Sequence, residues 1–232
     1  MDNFLSRTEL LIGKENLEKL KQAHVAVFGC GGVGSYAIEA LVRSGIGSLT
    51  IVDHDVVDIT NINRQLIADT TTIGKPKVEI EKERLLRINP DLNLFTYQEF
   101  YEASKADKYF STSYDYIIDA IDCISAKLSL VKEATNRSIP IISCMGTGNK
   151  LDASKFQITD IRKTSVCPLA KVVRRELKKR GIENLKVLFS TEEPHRAIVQ
   201  ESNARTPASI SFVPSVAGLL IAGEVIRDLV KD

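Results

Sequence analysis

Residue types that bind zinc or form disulfides are scarce in this sequence. The 232 residues include no tryptophan, two methionines, three histidines and four cysteines. The cysteines form no C-x-x-C pair and the histidines lie far apart, so we expect no zinc site. A signal-peptide pattern is also missing. We therefore expect a cytoplasmic protein with reduced thiols at Cys30, Cys123, Cys144 and Cys167.

The chain also lacks an excess of either basic or acidic residues. The chain has 31 Lys and Arg against 30 Asp and Glu, a formal net charge of +1. This average argues against a nucleic-acid partner, because phosphate binding draws on an excess of cations. The distribution is uneven, however. Residues 150–186 contain 11 Lys and Arg and 4 Asp and Glu, a local balance of +7 that leaves −6 for the rest. That basic segment permits an RNA partner.

One long uncharged run needs to be distinguished from a membrane span. Residues 206–223 are 18 consecutive uncharged positions, close to the length that crosses a bilayer. The run contains Pro207 and Pro214, three serines and two glycines, and Glu224 ends it. We expect a strand or loop followed by a buried helix over 215–231, and no membrane insertion.

Strand and helix patterns alternate along most of the chain. An apolar run at 24–28, a helical pattern at 35–43 and a second apolar run at 49–52 make a βαβ unit. The alternation continues, with helices expected at 77–88, 126–137 and 164–180 and strands at 93–98, 114–121, 140–144 and 185–189. This pattern predicts an α/β fold with a doubly wound, mostly parallel sheet of Rossmann type. We expect one domain over 1–232, made of an N-terminal helical arm (1–23), a nucleotide-binding core (24–150) and a C-terminal α/β extension (151–232).

The first strand runs into a glycine-rich turn, Gly29-Cys-Gly31-Gly32-Val-Gly34. Between a strand and a helix, such a turn allows close approach of the backbone, and the helix N-terminus attracts phosphate. Asp53 ends the second strand, where it can accept hydrogen bonds from ribose hydroxyls. The alternative is a turn that only packs helix against strand. If a nucleotide binds, NAD, FAD and ATP all remain open.

A polar segment follows the second strand. It includes Asp53, Asp55, Asn61, Arg64 and Gln65, and Lys77 begins the next helix. Two cations near a nucleotide favour a triphosphate under attack over a nicotinamide cofactor. The alternatives are a surface salt bridge for Arg64 and a solvated position for Lys77.

Asp122 lies just beyond a predicted inner strand, where open α/β sheets bind their ligands. A carboxylate there can hold Mg2+ against phosphate oxygens. The alternative is a helix N-cap, and the two roles are compatible. We expect Asp119 to lie within the strand and to be structural.

Five motifs occur in order: the glycine turn, Asp53-x-Asp55, Asn61-x-x-Arg64-Gln65, Pro76-Lys77-Val78 and Asp119-x-x-Asp122. Together they resemble the ubiquitin-activating-enzyme-like adenylating family (ThiF, MoeB and HesA). The resemblance implies that Asp53 holds ribose and that Asn61, Arg64 and Lys77 contact the phosphates of ATP. It also implies that Asp122 serves Mg2+ and catalysis, and that Arg7 reaches into the partner's site in a homodimer. Without the resemblance, Arg7 would be an arginine on a frayed N-terminus.

Beyond Gly146, the order of segments resembles the members of this family that cyclise threonylcarbamoyladenosine in the anticodon loop of transfer RNA. The resemblance implies that ATP activates a carboxylate and that the substrate's own carbamoyl group closes the ring. No enzyme nucleophile is then required, and we expect Cys30, Cys123 and Cys144 to be small buried residues. The loop at 193–207 departs from that group. A monovalent cation and a sulfur-trafficking partner remain open.

Other functions remain possible at this point. They are adenylation of a ubiquitin-like sulfur carrier, NAD-dependent oxidoreduction and a catalytically silent scaffold. The sulfur-carrier enzymes carry two C-x-x-C pairs that this chain lacks.

The basic segment includes a cationic helical pattern at 171–180. With a transfer-RNA substrate implied, we expect phosphate contacts from this pattern and from the two cations before it. A solvated helix face is the alternative. The expected RNA-binding residues are Arg162, Lys163, Lys171, Arg174, Arg175, Lys178 and Lys179.

Overall fold

Seven strands form one sheet in a computed structural model that describes residues 3–195 and 207–231. The order across the sheet is β3-β2-β1-β4-β5-β7-β6, and all neighbours are parallel except β6 and β7. The strands are β1 (His24–Phe28), β2 (Ser48–Val52), β3 (Asn93–Tyr97), β4 (Tyr116–Asp119), β5 (Ile141–Cys144), β6 (Phe156–Asp160) and β7 (Lys186–Ser190).

Helices cover both faces of the sheet. Alternate residues of β1 point in opposite directions: Val25 and Val27 pack into one core cluster, Ala26 and Phe28 into another. The helices are α1 (Ser6–Ile12), α2 (Lys14–Gln22), α3 (Gly34–Ser44), α4 (Lys77–Ile88), α5 (Ala106–Tyr109), α6 (Ile124–Asn136), α7 (Pro168–Lys178) and α8 (Phe212–Val230). Short 3-10 turns lie between them, including Ile59–Asn61 and Ile161–Lys163.

The sheet confirms the expected doubly wound fold and places the ligand crevice. Strands β2 and β3 lie on one side of β1, whereas β4 and β5 lie on the other. The strand order therefore reverses between β1 and β4, and ligands of open α/β sheets bind at such a point, beyond the carboxyl ends of the strands.

The C-terminal third differs from the sequence expectations in two details. Strand β6 pairs antiparallel with β7 at the sheet edge and was not predicted, because a short edge strand has little periodicity of its own. Helix α7 begins at Pro168 rather than at residue 164, because the residue before a proline avoids the helical region and Cys167 is extended.

The long apolar run forms a buried helix, as expected. Helix α8 begins at Phe212 and packs chiefly against α3. Within 3–195 and 207–231, no helix has both the length and the apolar character needed to cross a membrane. The expected loop at 191–207 falls mostly outside the described residues.

Contact between α8 and α3 depends on one glycine, which gives a stability prediction. A Cβ at Gly218 would lie 2.2 Å from the Val33 carbonyl oxygen. We expect Gly218→Ala to lower the free energy of unfolding by about 1–3 kcal/mol, because the helices must separate. Gly223→Ala in the same helix is the control, since its Cβ would meet only the Arg227 side chain at 3.4 Å. Urea denaturation should show that the free energy of unfolding of Gly223→Ala is unchanged or raised. An equal loss of stability in both variants would contradict the packing argument.

Candidate active site

A cleft of about 690 Å3 opens at the carboxyl ends of β1, β2, β4 and β5. It brings together residues from Phe28 to Pro214, which lie far apart in the sequence. The expected nucleotide-site residues that line it are Gly29, Gly31, Gly32, Asp53, Asp55, Asn61, Arg64, Gln65, Lys77 and Asp122. Gly34 lies beneath its surface and Arg7 does not line it.

The glycines of the turn serve two different purposes. Gly29 has a φ of +99°, and a Cβ there would lie 2.7 Å from the Ala120 carbonyl oxygen. A Cβ at Gly34 would lie only 1.7 Å from the Gly29 carbonyl oxygen, so these two positions pack helix against strand. Gly31 is different, because no atom lies within 4 Å of the position its Cβ would occupy. The open space at Gly31 leaves the backbone accessible to a ligand, so packing alone does not explain the motif.

Asp53 is held rigidly at the edge of the glycine turn. Its Oδ2 accepts a hydrogen bond from the Cys30 backbone N–H at 2.6 Å, and its Oδ1 accepts one from the Asp55 N–H at 2.8 Å. Each carboxylate oxygen has a second lone pair. The carboxylate therefore has a fixed orientation and retains acceptor capacity for hydroxyl groups in the cleft.

Lys77 lies at the bottom of the cleft and pairs with Asp55. Its Nζ is 2.6 Å from Asp55 Oδ2, and its side chain is only 5% exposed. The solvated first-turn alternative is thus excluded.

His54, Asp53 and Asp55 also form a group whose possible metal-ligand atoms lie within 4.8 Å of one another. The Lys77 ammonium group balances the charge of the Asp55 carboxylate, and backbone N–H groups donate hydrogen bonds to both Asp53 oxygens.

The Asn61–Gln65 segment is ordered by a capped 3-10 turn. Asp58 accepts a hydrogen bond from Thr60 N–H, and Asn61 Oδ1 accepts one from Asp58 N–H. Arg64 donates to the Thr60 carbonyl at 2.8 Å and is paired with no carboxylate among the described residues. Gln65 is buried, and its Oε1 has no hydrogen-bond partner in the described part of the chain. Arg64 thus brings a cation without an acidic partner to the cleft, and the Gln65 acceptor lies buried behind it.

Asp122 projects into the cleft without a partner. Helix α6 takes Cys123, not Asp122, as its N-cap, so the N-cap alternative does not hold. Within 3–195 and 207–231, its carboxylate has no hydrogen bond or ion pair, and it is exposed. An unpaired carboxylate facing a phosphate-sized space fits Mg2+, a cation that prefers oxygen ligands.

A buried ion pair supports the strand ends that carry Asp122. Lys127 donates to Asp119 Oδ2 at 2.8 Å and to the Cys144 carbonyl at 3.1 Å, and both charged side chains are 0% exposed. Ser143 adds a third contact, donating to the same Asp119 oxygen at 2.7 Å. The expected structural role of Asp119 agrees with this network. Lys127 was missed, because its partners lie eight and 17 residues away.

The aromatic side of the cleft was also missed. Phe28, Phe100 and Tyr101 line it, and the rings of His54 and Phe100 meet edge to face with centroids 5.0 Å apart. Flat apolar rings suit a nucleobase. Phe100 lies just beyond β3 in a stretch without periodicity, so the sequence carried no signal for it.

The cysteines near the cleft are of two kinds. Burial raises the pKa of Cys30 well above its ordinary value and that of Cys144 to about 12. Cys123 is partly exposed, and hydrogen bonds from Ser125 and from backbone N–H groups lower its pKa. Cys123 is therefore not the buried residue that was expected. All four cysteines are free.

The basic helix α7 borders a groove of about 790 Å3, and its first turn separates this groove from the cleft. Pro168 lines the groove, and its neighbour Leu169 lines the cleft. Arg174 is committed within the fold, since its Nη1 donates to the Thr164 carbonyl at 2.8 Å and to the Thr164 hydroxyl at 2.7 Å. Lys171 and Lys178 are exposed at the groove and have no ion pair in the described ranges.

Of the other candidate RNA-binding residues, Arg162, Arg175 and Lys179 have acidic partners, whereas Lys163 is exposed and has no ion pair among the described residues. Glu176 pairs with Arg175, Lys179 and Arg180, which lowers its pKa to about 2. Arg162 pairs with Asp160 at 2.8 Å, and Lys163 follows it in the same 3-10 turn. Contact with a polyanion would compete with these intramolecular pairs but not with Lys171 or Lys178.

Arg7 lies on the exposed side of α1, away from the cleft of its own chain. Three large apolar side chains near it are exposed, Phe4 at 52%, Leu10 at 87% and Leu11 at 85%. Exposed apolar side chains gathered in one short segment are typical of a contact surface.

Comparison with known proteins adds a family. The ThiF family model matches residues 5–232. The tRNA threonylcarbamoyladenosine dehydratase of Bacillus subtilis (strain 168) is 49% identical over 240 residues, which cover 98% of this chain and 94% of the relative. The crystal structure of E. coli tRNA N6-threonylcarbamoyladenosine dehydratase, TcdA, in complex with ATP has a TM-score of 0.89 at 32% identity, covering 97% of this chain and 93% of that one.

A more distant similarity joins the chain to enzymes of another reaction. The adenylyltransferase and sulfurtransferase UBA4 of Vanderwaltozyma polyspora is 36% identical over 138 residues, 60% of this chain and 31% of that protein. Similarity to the dehydratases thus extends over nearly the whole chain, whereas similarity to the adenylyltransferase covers 60% of it.

The buried pair below the cleft gives a second stability prediction. We expect Lys127→Met to lower the free energy of unfolding by about 3–5 kcal/mol, because Asp119 would be left charged and unpaired in the interior. Lys132→Met is the control on the same helix, since Lys132 is exposed and should change stability by less than about 0.5 kcal/mol. Equal stability of both variants in thermal denaturation would refute the supporting role of the pair.

Proposed function

Because this chain belongs to the ThiF family, we propose that it catalyses the ATP-dependent cyclisation of threonylcarbamoyladenosine in the anticodon loop of transfer RNA. The observation that carries the proposal is the placement of two surfaces on either side of the first turn of α7. Leu169 lines the nucleotide cleft and Pro168 lines the basic groove, so a polyanion in the groove can extend a modified base toward the cleft. We expect this reaction to take place in the cytoplasm.

The reaction proceeds by activation and ring closure. The threonyl carboxylate attacks the α-phosphorus of ATP, which forms an acyl-adenylate and releases pyrophosphate. A nitrogen or oxygen of the carbamoyl group then attacks the activated carbonyl, AMP leaves with its electron pair, and the attacking group loses its proton. The net change is loss of one water from the nucleoside. Because the attack is intramolecular, positioning supplies much of the rate.

Residues of the cleft have distinct roles in the first step. Asp53 accepts hydrogen bonds from the ribose, while the Gly31 backbone and the N-terminus of α3 face the phosphates. Lys77 and Arg64 stabilise the charge that develops on them. Mg2+ held by Asp122 adds positive charge beside the phosphates when it is bound.

The active enzyme is a homodimer in this proposal. Phe4, Leu10 and Leu11 present apolar surface that a second copy of α1 would cover. Arg7 lies among them and would add a cation to the partner's cleft.

Nucleoside analysis tests the proposed reaction. With ATP and transfer RNA that carries threonylcarbamoyladenosine, the protein should convert that nucleoside to a product lighter by one water. We expect Lys77→Met to slow the conversion roughly a hundredfold, because one preorganised charge facing the phosphates is lost. Unchanged nucleosides, together with pyrophosphate exchange driven by a ubiquitin-like carrier protein, would favour the sulfur-carrier reaction instead.

Salt dependence tests the RNA surface. Charge reversal at Lys171 and Lys178 should weaken transfer-RNA binding and reduce the slope of its salt dependence by about two, while leaving ATP affinity unchanged. Arg174 is a poor target, since its loss would disturb the Thr164 turn. Lys82→Glu, an exposed reversal on α4, is the control. An unaltered slope in the double variant would remove the groove from the RNA interface.

A further inference from the structure

One side of the cleft is built by a strap, residues 207–209, to which Asn149 makes two hydrogen bonds. Asn149 donates its backbone N–H to the Ala208 carbonyl at 2.7 Å, and its side-chain Oδ1 accepts the Ala208 N–H at 2.7 Å. Its own carbonyl accepts the His195 N–H at 2.8 Å. Asn149 has a φ of 59°, a left-handed conformation that asparagine tolerates better than most residues.

Two further contacts hold the strap in the same place. Asn63, next to Arg64, donates its side-chain N–H to the Ser209 carbonyl at 3.0 Å. A Cβ at Gly148 would lie 2.6 Å from Pro207 Cβ, so the strap rests directly against a glycine. The strap is thereby connected both to the Asn61–Gln65 segment and to the loop that follows β5.

The strap and the expected ribose site lie beside different strands of the sheet. Asp53 follows β2, whereas Met145 and Gly146 follow β5, two strands beyond β1. Gly146, Thr147, Gly148, Leu169, Pro207 and Ser209 line this side of the cleft, which we call the far wall. Leu169 of the far wall is next in sequence to Pro168, which lines the groove at α7.

Thr147 and Ser209 are the hydroxyl side chains of the far wall. Neither hydroxyl has a hydrogen-bond partner within the described residues. Both hydroxyls can donate hydrogen bonds to a carboxylate or a carbamoyl oxygen. The far wall therefore offers two unengaged hydroxyl groups on the β5 side of the cleft.

We propose that the far wall receives the carboxylate-bearing arm of the modified nucleoside and that Asn149 is the positioning residue that fixes it. The proposal rests on the function proposed above and adds the place where the acyl group is held. Asn149 itself does not line the cleft. It acts through the strap, so its loss should affect the RNA substrate and not the nucleotide.

Two variants of Asn149 separate this role from a general loss of structure. Asn149→Gly suits the left-handed backbone but removes the Oδ1 acceptor, and we expect it to raise the KM for transfer RNA roughly tenfold. Asn149→Asp keeps the acceptor and should stay near the original KM. Gly148→Ala, which pushes against Pro207, should reproduce the effect of Asn149→Gly. The Kd for ATP should be the same in all three.

The outcomes are distinct. A raised KM for transfer RNA with unchanged ATP binding in Asn149→Gly, rescued in Asn149→Asp, supports the proposal. If the original protein is active, either of two results for Asn149→Gly overturns the proposal. One is an unchanged KM for transfer RNA, and the other is a rise in the Kd for ATP as large as the rise in KM. If the original protein itself makes no ring-closed nucleoside, the proposed function fails and takes this inference with it.

Discussion

The close approach of α3 to the ends of β1 and β4 is the constraint on which the site depends. A Cβ at Gly34 or Gly29 would occupy the space of backbone oxygens, so any side chain there would push the helix away from the sheet. Because the helix starts so close, its free N–H groups point into the crevice formed by the reversed strand order. Asp53, Lys77 and Asp122 then line one cleft, although Asp122 follows β4 and the other two follow β2.

Charge is distributed to match this geometry. The cations of the cleft are either buried against an acid, as in the Lys77–Asp55 pair, or hydrogen-bonded to backbone, as in Arg64. A second buried pair, Lys127–Asp119, keeps the ends of β4 and β5 together. Two lysines without an ion pair, Lys171 and Lys178, lie along α7 at the groove. A net charge near zero is thus compatible with the proposed nucleotide site and the proposed RNA surface, which lie on either side of the first turn of α7.

Features of the site that depend on local sequence could be predicted, whereas contacts between residues far apart in the sequence could not. The glycine turn and Asp53 belong to one βαβ unit, so spacing alone placed them. Lys127 and Asn149 were missed because their partners, Asp119 and Ala208, are brought to them only by the fold. The charge of Arg174 suggested an RNA contact, and the structure shows this side chain hydrogen-bonded to Thr164. Thr164 lies in a turn that the sequence pattern had assigned to the following helix. Side-chain pairing across elements leaves no periodic signal in sequence.

The central claim is that ATP activates a carboxylate on the RNA, and isotope transfer tests it most directly. Transfer RNA whose threonylcarbamoyl carboxylate carries heavy oxygen would be incubated with the protein and ATP, and the released nucleotide analysed by mass spectrometry. Attack by the carboxylate on the α-phosphorus predicts AMP that carries one heavy oxygen, together with unlabelled pyrophosphate. Label in inorganic phosphate with release of ADP, or unlabelled AMP, would contradict the account.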